Sequence, residues 1–373
     1  MRRQTSIGKE AKRTRRHIKE EKNKNRKKKI IILLLRIGII CCITGLFLLY
    51  GPYRGFREWL ITTATTTMNH QYLATWFYDE MTISEALERN KIIEVIGTTD
   101  ASQIHFTVDD NQGPFANKYE EAVLKRADNN NDYKIIRIKE EKFTGYLAVI
   151  YDPSRIKAAV TSKMGTSGEY LSEISRKNNS LIAINAGGFA DEGGHGNGST
   201  PSGITIVSGK QVTNNTYHDA GGLIGFNEQN ILVLDSNMNT DGIRDAVTFG
   251  PFLIVNGKAS TISGNGGWGR APRTAIGQRA DGKVLFLVLD GDRSLGRGAT
   301  LGEEIEILQN YGAINAANLD GGTSTCMTVG NILVNDPTSK YSGARSRQIA
   351  TAFILTKDAS DDGDCSVVAN KLN

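Results

Sequence analysis

Histidine and cysteine are scarce in this chain: five and four among 373 residues. The histidines, His17, His70, His105, His195 and His218, form no HxxxH pattern, which disfavours a histidine-rich metal site. No CxxC pair or zinc-ligand spacing is present. Cys41 and Cys42 lie in an apolar run. Cys326 and Cys365 could meet outside it, and their wide separation leaves a bridge and a free buried thiol both open. No tandem repeat of fixed period is visible. Positive charge is also scarce beyond the N-terminus. Residues 1–29 carry fourteen Lys or Arg against three Glu, a net +11, while the whole chain is +5, so residues 30–373 are net −6. The basic pI belongs to the tail, and composition lends the main part no support as a nucleic-acid binder.

After the basic tail comes a 21-residue apolar run, Ile30 to Tyr50, interrupted by Arg36 and Thr44. About 20 such residues cross a bilayer as a helix, and Arg36 is close enough to the basic end to snorkel. The positive flank predicts a cytoplasmic N-terminus with residues 51–373 outside. A cleaved signal peptide is the alternative, but Gly51-Pro52 and the sequence after it offer no small-x-small cleavage site. The expected partners are therefore a membrane, through one span, and no nucleic acid.

Five segments are expected: a basic cytoplasmic tail at 1–29, a signal anchor at 30–50, a stalk or linker at 51–132, a catalytic domain at 133–357 and an acidic tail at 358–373. In the linker, residues 74–90 read as partly helical, with Ser84 as cap. From Tyr133 the pattern turns to short β-rich runs. Examples are residues 133–138, 146–151 and 156–161, and later 204–207, 222–226, 231–234 and 349–355. Residues 167–178 and 302–311 carry helical stripes, through Leu171 and Ile174 and through Leu301, Ile305 and Leu308. Asn256-Gly257 and Asp281-Gly282 are hairpin turns. The second opens onto residues 283–290, the most apolar run outside the span. Fold class is α+β: a mixed β-sheet core flanked by helices, preceded by one N-terminal transmembrane helix.

Two stretches share one design. Residues 314–327 (INAANLDGGTSTCM) run as a buried strand to Asp320, two glycines and small polar residues. Residues 181–189 (LIAINAGGF) run from an apolar strand to Asn185 and another glycine pair. Glycines let backbone approach a ligand, and successive N–H groups in such turns make a concave anion site. The two stretches read as facing walls of one pocket. Residues 191–203, rich in glycine and containing His195, form a long loop of the kind that is usually functional or disordered.

The order of these pieces resembles the phosphodiester glycosidase family. The matching segments are 183–189 (AINAGGF), 250–257 (GPFLIVNG), 272–277 (PRTAIG), 289–291 (LDG), 300–303 (TLGE) and 318–322 (NLDGG), spread over about residues 133–355. The chain departs from the family pattern at Thr323, Cys326 and Asp292, which bears on substrate more than on fold. The resemblance implies a hydrolase that cleaves a sugar-1-phosphodiester at the anomeric carbon, with a phosphorylated glycan as substrate and no cofactor. An oxocarbenium-like centre needs a carboxylate. A phosphate leaving group has its second pKa near 6, so preorganised donors can replace a strong acid. Asp290 and Asp320, each ending an apolar strand, are the expected carboxylate pair, with Arg273 as a bidentate phosphate clamp. Asn185, Gly187, Gly188, Gly321, Gly322 and Ser324 are the expected substrate contacts.

The setting outside the membrane points to wall polymer or exopolysaccharide. Two other readings stay open: a surface module that only binds an anionic glycan, and a metal-dependent phosphodiesterase cutting P–O. Asp290 with Asp292 could also hold Ca²⁺ or Mg²⁺ through oxygen ligands.

Overall fold

The structure, a computed structural model, describes residues 3–65, 71–107, 113–126, 131–190, 196–215, 221–291, 297–336, 346–358 and 372. The chain divides into two compact units, residues 1–60 and 61–373. In the first, α1 (Arg3–Tyr50) is one continuous helix that contains the apolar run. Residues 18–50 of it are long and apolar enough to cross a membrane. The helix α2 (Arg54–Thr65) comes next.

The second unit is built on antiparallel sheets. In chain order it holds α3 (Tyr72–Phe77), α4 (Glu80–Arg89), β1 (Ile92–Ile93), α5 (Lys118–Leu124), β2 (Tyr133–Lys139), β3 (Thr144–Ile150), β4 (Ile156–Val160), α6 (Leu171–Lys177) and β5 (Ser180–Asn185). Then come β6 (Thr205–Val207), β7 (Lys210–Thr213), β8 (Gly222–Asn227), β9 (Leu232–Asp235), β10 (Ile243–Phe249), β11 (Phe252–Val255), β12 (Lys258–Ala259) and β13 (Thr261–Ile262). The last elements are β14 (Arg273–Arg279), β15 (Val284–Leu289), α7 (Leu301–Asn310), β16 (Ala313–Leu319), β17 (Met327–Val329), β18 (Ile332–Leu333) and β19 (Thr351–Thr356). The expected α+β class is what the chain adopts.

Three sheets matter for the site. The largest has the order β12-β11-β16-β14-β15-β3-β2. A second runs β18-β17-β5-β19-β4 and a third β7-β6-β10-β8-β9. The unbroken apolar run of β15 has a simple cause: the strand is central and covered on both faces. Val284, Phe286 and Val288 join one core with Ile182, Ile184, Met327 and Phe353 of the second sheet. Leu285, Leu287 and Leu289 join another with Leu301, Ile305 and Leu308 of α7. Alternation sends successive side chains to opposite faces, so an apolar core on each side demands a continuous run.

Local signals explain the helix ends. Thr300 caps α7 by accepting the Glu303 N–H, and Glu303 returns a bond to the Thr300 N–H, which is the capping box. The cap of α4 is Asp79, not Ser84: its carboxylate accepts the Thr82 N–H at 2.7 Å. An acid satisfies the orphan N–H groups and the helix dipole together. Both hairpin turns form as expected, with Asn256 and Gly257 at φ 52° and 77° and Gly282 at 87°.

The expected stalk needs correction from Ile61 onward. Ile92 and Ile93 pair with Ile262 and Thr261. Glu94 accepts the Phe252 N–H at 2.7 Å, and Asn265 donates to Thr62 at 2.8 Å. Thr98 bridges to Asp235. These residues clasp the sheets, because their polar groups complete backbone bonds that the short edge strands leave open.

Candidate active site

The site forms where the large sheet meets the second one. Strands β15 and β16 both run antiparallel to β14, which lies between them. They therefore end on the same side of the sheet, and Asp290 and Asp320 come directly after them. With one strand between, their backbones stand about 10 Å apart. After Asp320 the chain leaves the large sheet, turns through residues 321–326, and enters β17 of the second sheet. This crossing is why the stretch is a strand, then glycines, then small polar residues.

The two glycine-bearing stretches do meet. The Asp320 N–H donates to the Ala186 carbonyl at 2.9 Å. Asn185 is buried and donates from Nδ2 to the Asp320 carbonyl. Its Oδ1 accepts the Thr274 hydroxyl at 2.8 Å and the Cys326 N–H at 3.0 Å. Asn185 thus ties β14, β16 and the crossing loop together. Expected as a substrate contact, it is a staple holding the acid-bearing turn.

Asp290 is half-buried and held by two donors. Asn335 Nδ2 donates to Oδ1 at 2.7 Å, and the Asp336 N–H donates to Oδ2 at 3.1 Å. Burial pushes its carboxyl up to about 6, with the nearby Asp336 charge adding to the rise and the two hydrogen bonds opposing it. A base with pKa near neutrality is suited to proton transfer. Burial also pushes the Cys326 thiol above its usual range, and both Asp320 and Asp290 add to that push. Cys326 is a free, buried thiol; Cys365 lies outside the described residues, as do Asp292, His195 and His218.

Arg273 stands differently from the expectation. Its side chain is 1% exposed. Nε donates to the Ala299 carbonyl at 3.2 Å, and one terminal nitrogen donates to the carbonyls of Trp268 and Gly269 at 3.1 and 2.9 Å. The guanidinium lies 5.6 Å from the Trp268 ring centre. As the first residue of β14 it points with Ala275 into the α7 core, away from the face that carries Thr274. It secures the glycine loop 263–270 and does not reach out as a phosphate clamp. Glu304 of α7 is fully buried near it, with no hydrogen-bond partner among the described residues. Burial pushes its carboxyl up to about 8, against the pull of the Arg273 charge.

The glycines divide into two groups. Gly187 donates its N–H to Thr351 at 2.9 Å, and a Cβ there would lie 3.0 Å from Val247. A Cβ on Gly188 would meet the Phe249 ring at 3.1 Å. These two serve close packing against β10. Gly322 has φ 62°, open space where a Cβ would stand, and an N–H that donates to the Pro272 carbonyl. Gly321 also packs on that carbonyl. The second pair shapes the rim beside Asp320. Ser324 is buried, its hydroxyl unpartnered among the described residues. Asn335, unnoticed in the sequence, sits before Asp336-Pro337 and reads there as ordinary turn chemistry.

The phosphodiester glycosidase family model (NAGPA) matches residues 178–356. The resemblance to that family therefore holds over the segment that carries both acids. Among curated proteins, the SPbeta prophage-derived uncharacterized protein YomE of Bacillus subtilis (strain 168) is 27% identical over 206 residues, 50% of this chain and 30% of that protein. Mouse N-acetylglucosamine-1-phosphodiester alpha-N-acetylglucosaminidase is 30% identical over 97 residues, 25% of this chain and 19% of that enzyme. The chain spans less than a third of the length of these relatives. Among solved structures, the zebrafish N-acetylglucosamine-1-phosphodiester alpha-N-acetylglucosaminidase catalytic domain, auto-inhibited by its pro-peptide, aligns at TM-score 0.49 and 20% identity, covering 61% of this chain and 83% of that one.

Proposed function

We propose that the chain is a membrane-anchored, extracytoplasmic hydrolase that cleaves a sugar-1-phosphodiester at its anomeric carbon, in cell-wall polymer or exopolysaccharide. The observation that carries this reading is the pair of acids ending two parallel-running strands of one sheet, one of them tuned to about 6. A water oxygen bonds to the anomeric carbon as the bond from that carbon to the phosphate oxygen breaks. The electron pair leaves with the phosphate, and the water proton passes to the Asp290 carboxylate. Asp320 stabilises positive charge building on the sugar. Gly321, Gly322 and Ser324 line the phosphate side.

Hydrolysis in oxygen-18 water tests the reading. Label in the released sugar supports it; label in the phosphate means P–O cleavage and sinks it.

A further inference from the structure

Between Glu58 and Asp79 lie twenty residues without one Lys, Arg, Asp or Glu, in a chain that is 23% charged. In the described part of this stretch Trp59, Tyr72, Trp76 and Phe77 are exposed and Tyr78 is buried. Tyr72 is 43% exposed and Trp76 73%, and Met81 at the start of α4 is 69% exposed. Of the six residues of α3 only Ala74 is buried, so the helix rests on a methyl group and presents its large side chains to the outside. Tyr72 and Trp76, one turn apart, touch with ring centres 4.7 Å apart and planes tilted by 58°. A folded protein ordinarily covers most of a tryptophan. A ring with a polar handle suits the boundary between lipid and water, and the exposed Asp79 and Glu80 between Trp76 and Met81 would lie on its water side.

The chain itself supplies the surface that covers these rings. The apolar run ends at Tyr50, and only ten residues, 51–60, precede the second unit. At no more than about 3.6 Å each they reach at most about 36 Å, and the uncharged stretch begins within them. We propose that Tyr72, Trp76 and Met81 dock into the interfacial layer of the bilayer that the apolar helix crosses. The body would then be held against the membrane in one orientation, not swung on a tether. The inference rests on the membrane-anchor reading.

The test uses the full chain reconstituted in phosphatidylcholine–phosphatidylglycerol vesicles with brominated acyl chains. In Trp59→Phe protein the remaining indoles are Trp76 and Trp268, and emission falls by up to about half against unbrominated vesicles because one of the two indoles lies at lipid depth. The fall disappears in the Trp59→Phe, Trp76→Phe double variant. Protein that survives a carbonate wash but shows no Trp76-dependent quenching refutes the docking and leaves the anchor intact. Blue-shifted Trp76 emission without quenching assigns the face to a protein contact, and also refutes it. Protein removed by the wash refutes the anchor and the docking together.

Discussion

Replacing Asn335 by Ala isolates the tuning of Asp290. The amide donates to the carboxylate at 2.7 Å and is one of the two bonds that hold its pKa down against burial. A hydrogen bond to a charged group contributes about 1.5–3 kcal/mol, equivalent to about one to two pKa units. Removing it favours the protonated form, so the carboxyl rises from about 6 toward roughly 7–8. If Asp290 must be ionised to take the water proton, the acid limb of kcat/KM moves up by the same amount. At pH 6.5 the ionised fraction falls roughly tenfold, while at pH 9 it hardly changes. The assay is phosphomonoester release from a sugar-1-phosphodiester between pH 4 and 10. Asn335 also accepts the Met327 N–H and donates to the Thr325 carbonyl, so some general loss is expected. That loss lowers the whole profile without moving its limb. A limb that stays in place, or moves down, refutes the assignment of Asp290 as the titrating base.

The same geometry sets three other outcomes. Arg273→Lys loses the fork that ties Ala299, Trp268 and Gly269, and should cost about 2–4 kcal/mol of stability in denaturant melts; a stable variant whose only defect is a raised KM would restore the phosphate-clamp role. Glu304 has a folded pKa of about 8 against an ordinary 4.5, so the folded state keeps a proton that the unfolded chain loses across that window, and stability falls as pH rises through it by roughly 2–5 kcal/mol. Glu304→Gln should flatten the difference between melting temperatures at pH 5 and pH 8, and an unchanged difference would mean that the carboxyl is not held neutral. Asp320→Asn should fold normally and lose on the order of a hundredfold or more in turnover; full turnover would remove Asp320 from the chemistry.

The parts of this molecule legible in the sequence are those with strong local causes. The two hairpin turns, the stripe of α7 and the continuous run of β15 each arise from periodicity or turn chemistry. So does the arrival of Asp290 and Asp320 at strand ends, which needed only a strand and then glycine. Side-chain direction was not legible in the same way. Arg273 looked like a clamp because it precedes a strand beside glycines, but strand parity turns it into the core under α7. Asn185 and Gly187 looked ligand-facing for the same compositional reason, and long-range partners, Asp320 and Thr351, claim them instead. Asn335 was invisible because its role depends on a strand 45 residues away. The segment from Ile61 to residue 107 looked like a spacer because its strands are too short to register as periodic.

The crossing of residues 320–327 from one sheet to another has a mechanical consequence. Asp320 belongs to the seam between two layers, and Asn185 reaches it from the opposite layer. Slippage of the layers by an ångström would misplace the acid while each sheet keeps all its own ladder bonds. On heating, catalysis should therefore fade before circular dichroism records any loss of strand, with the seam acting as the fuse of the molecule.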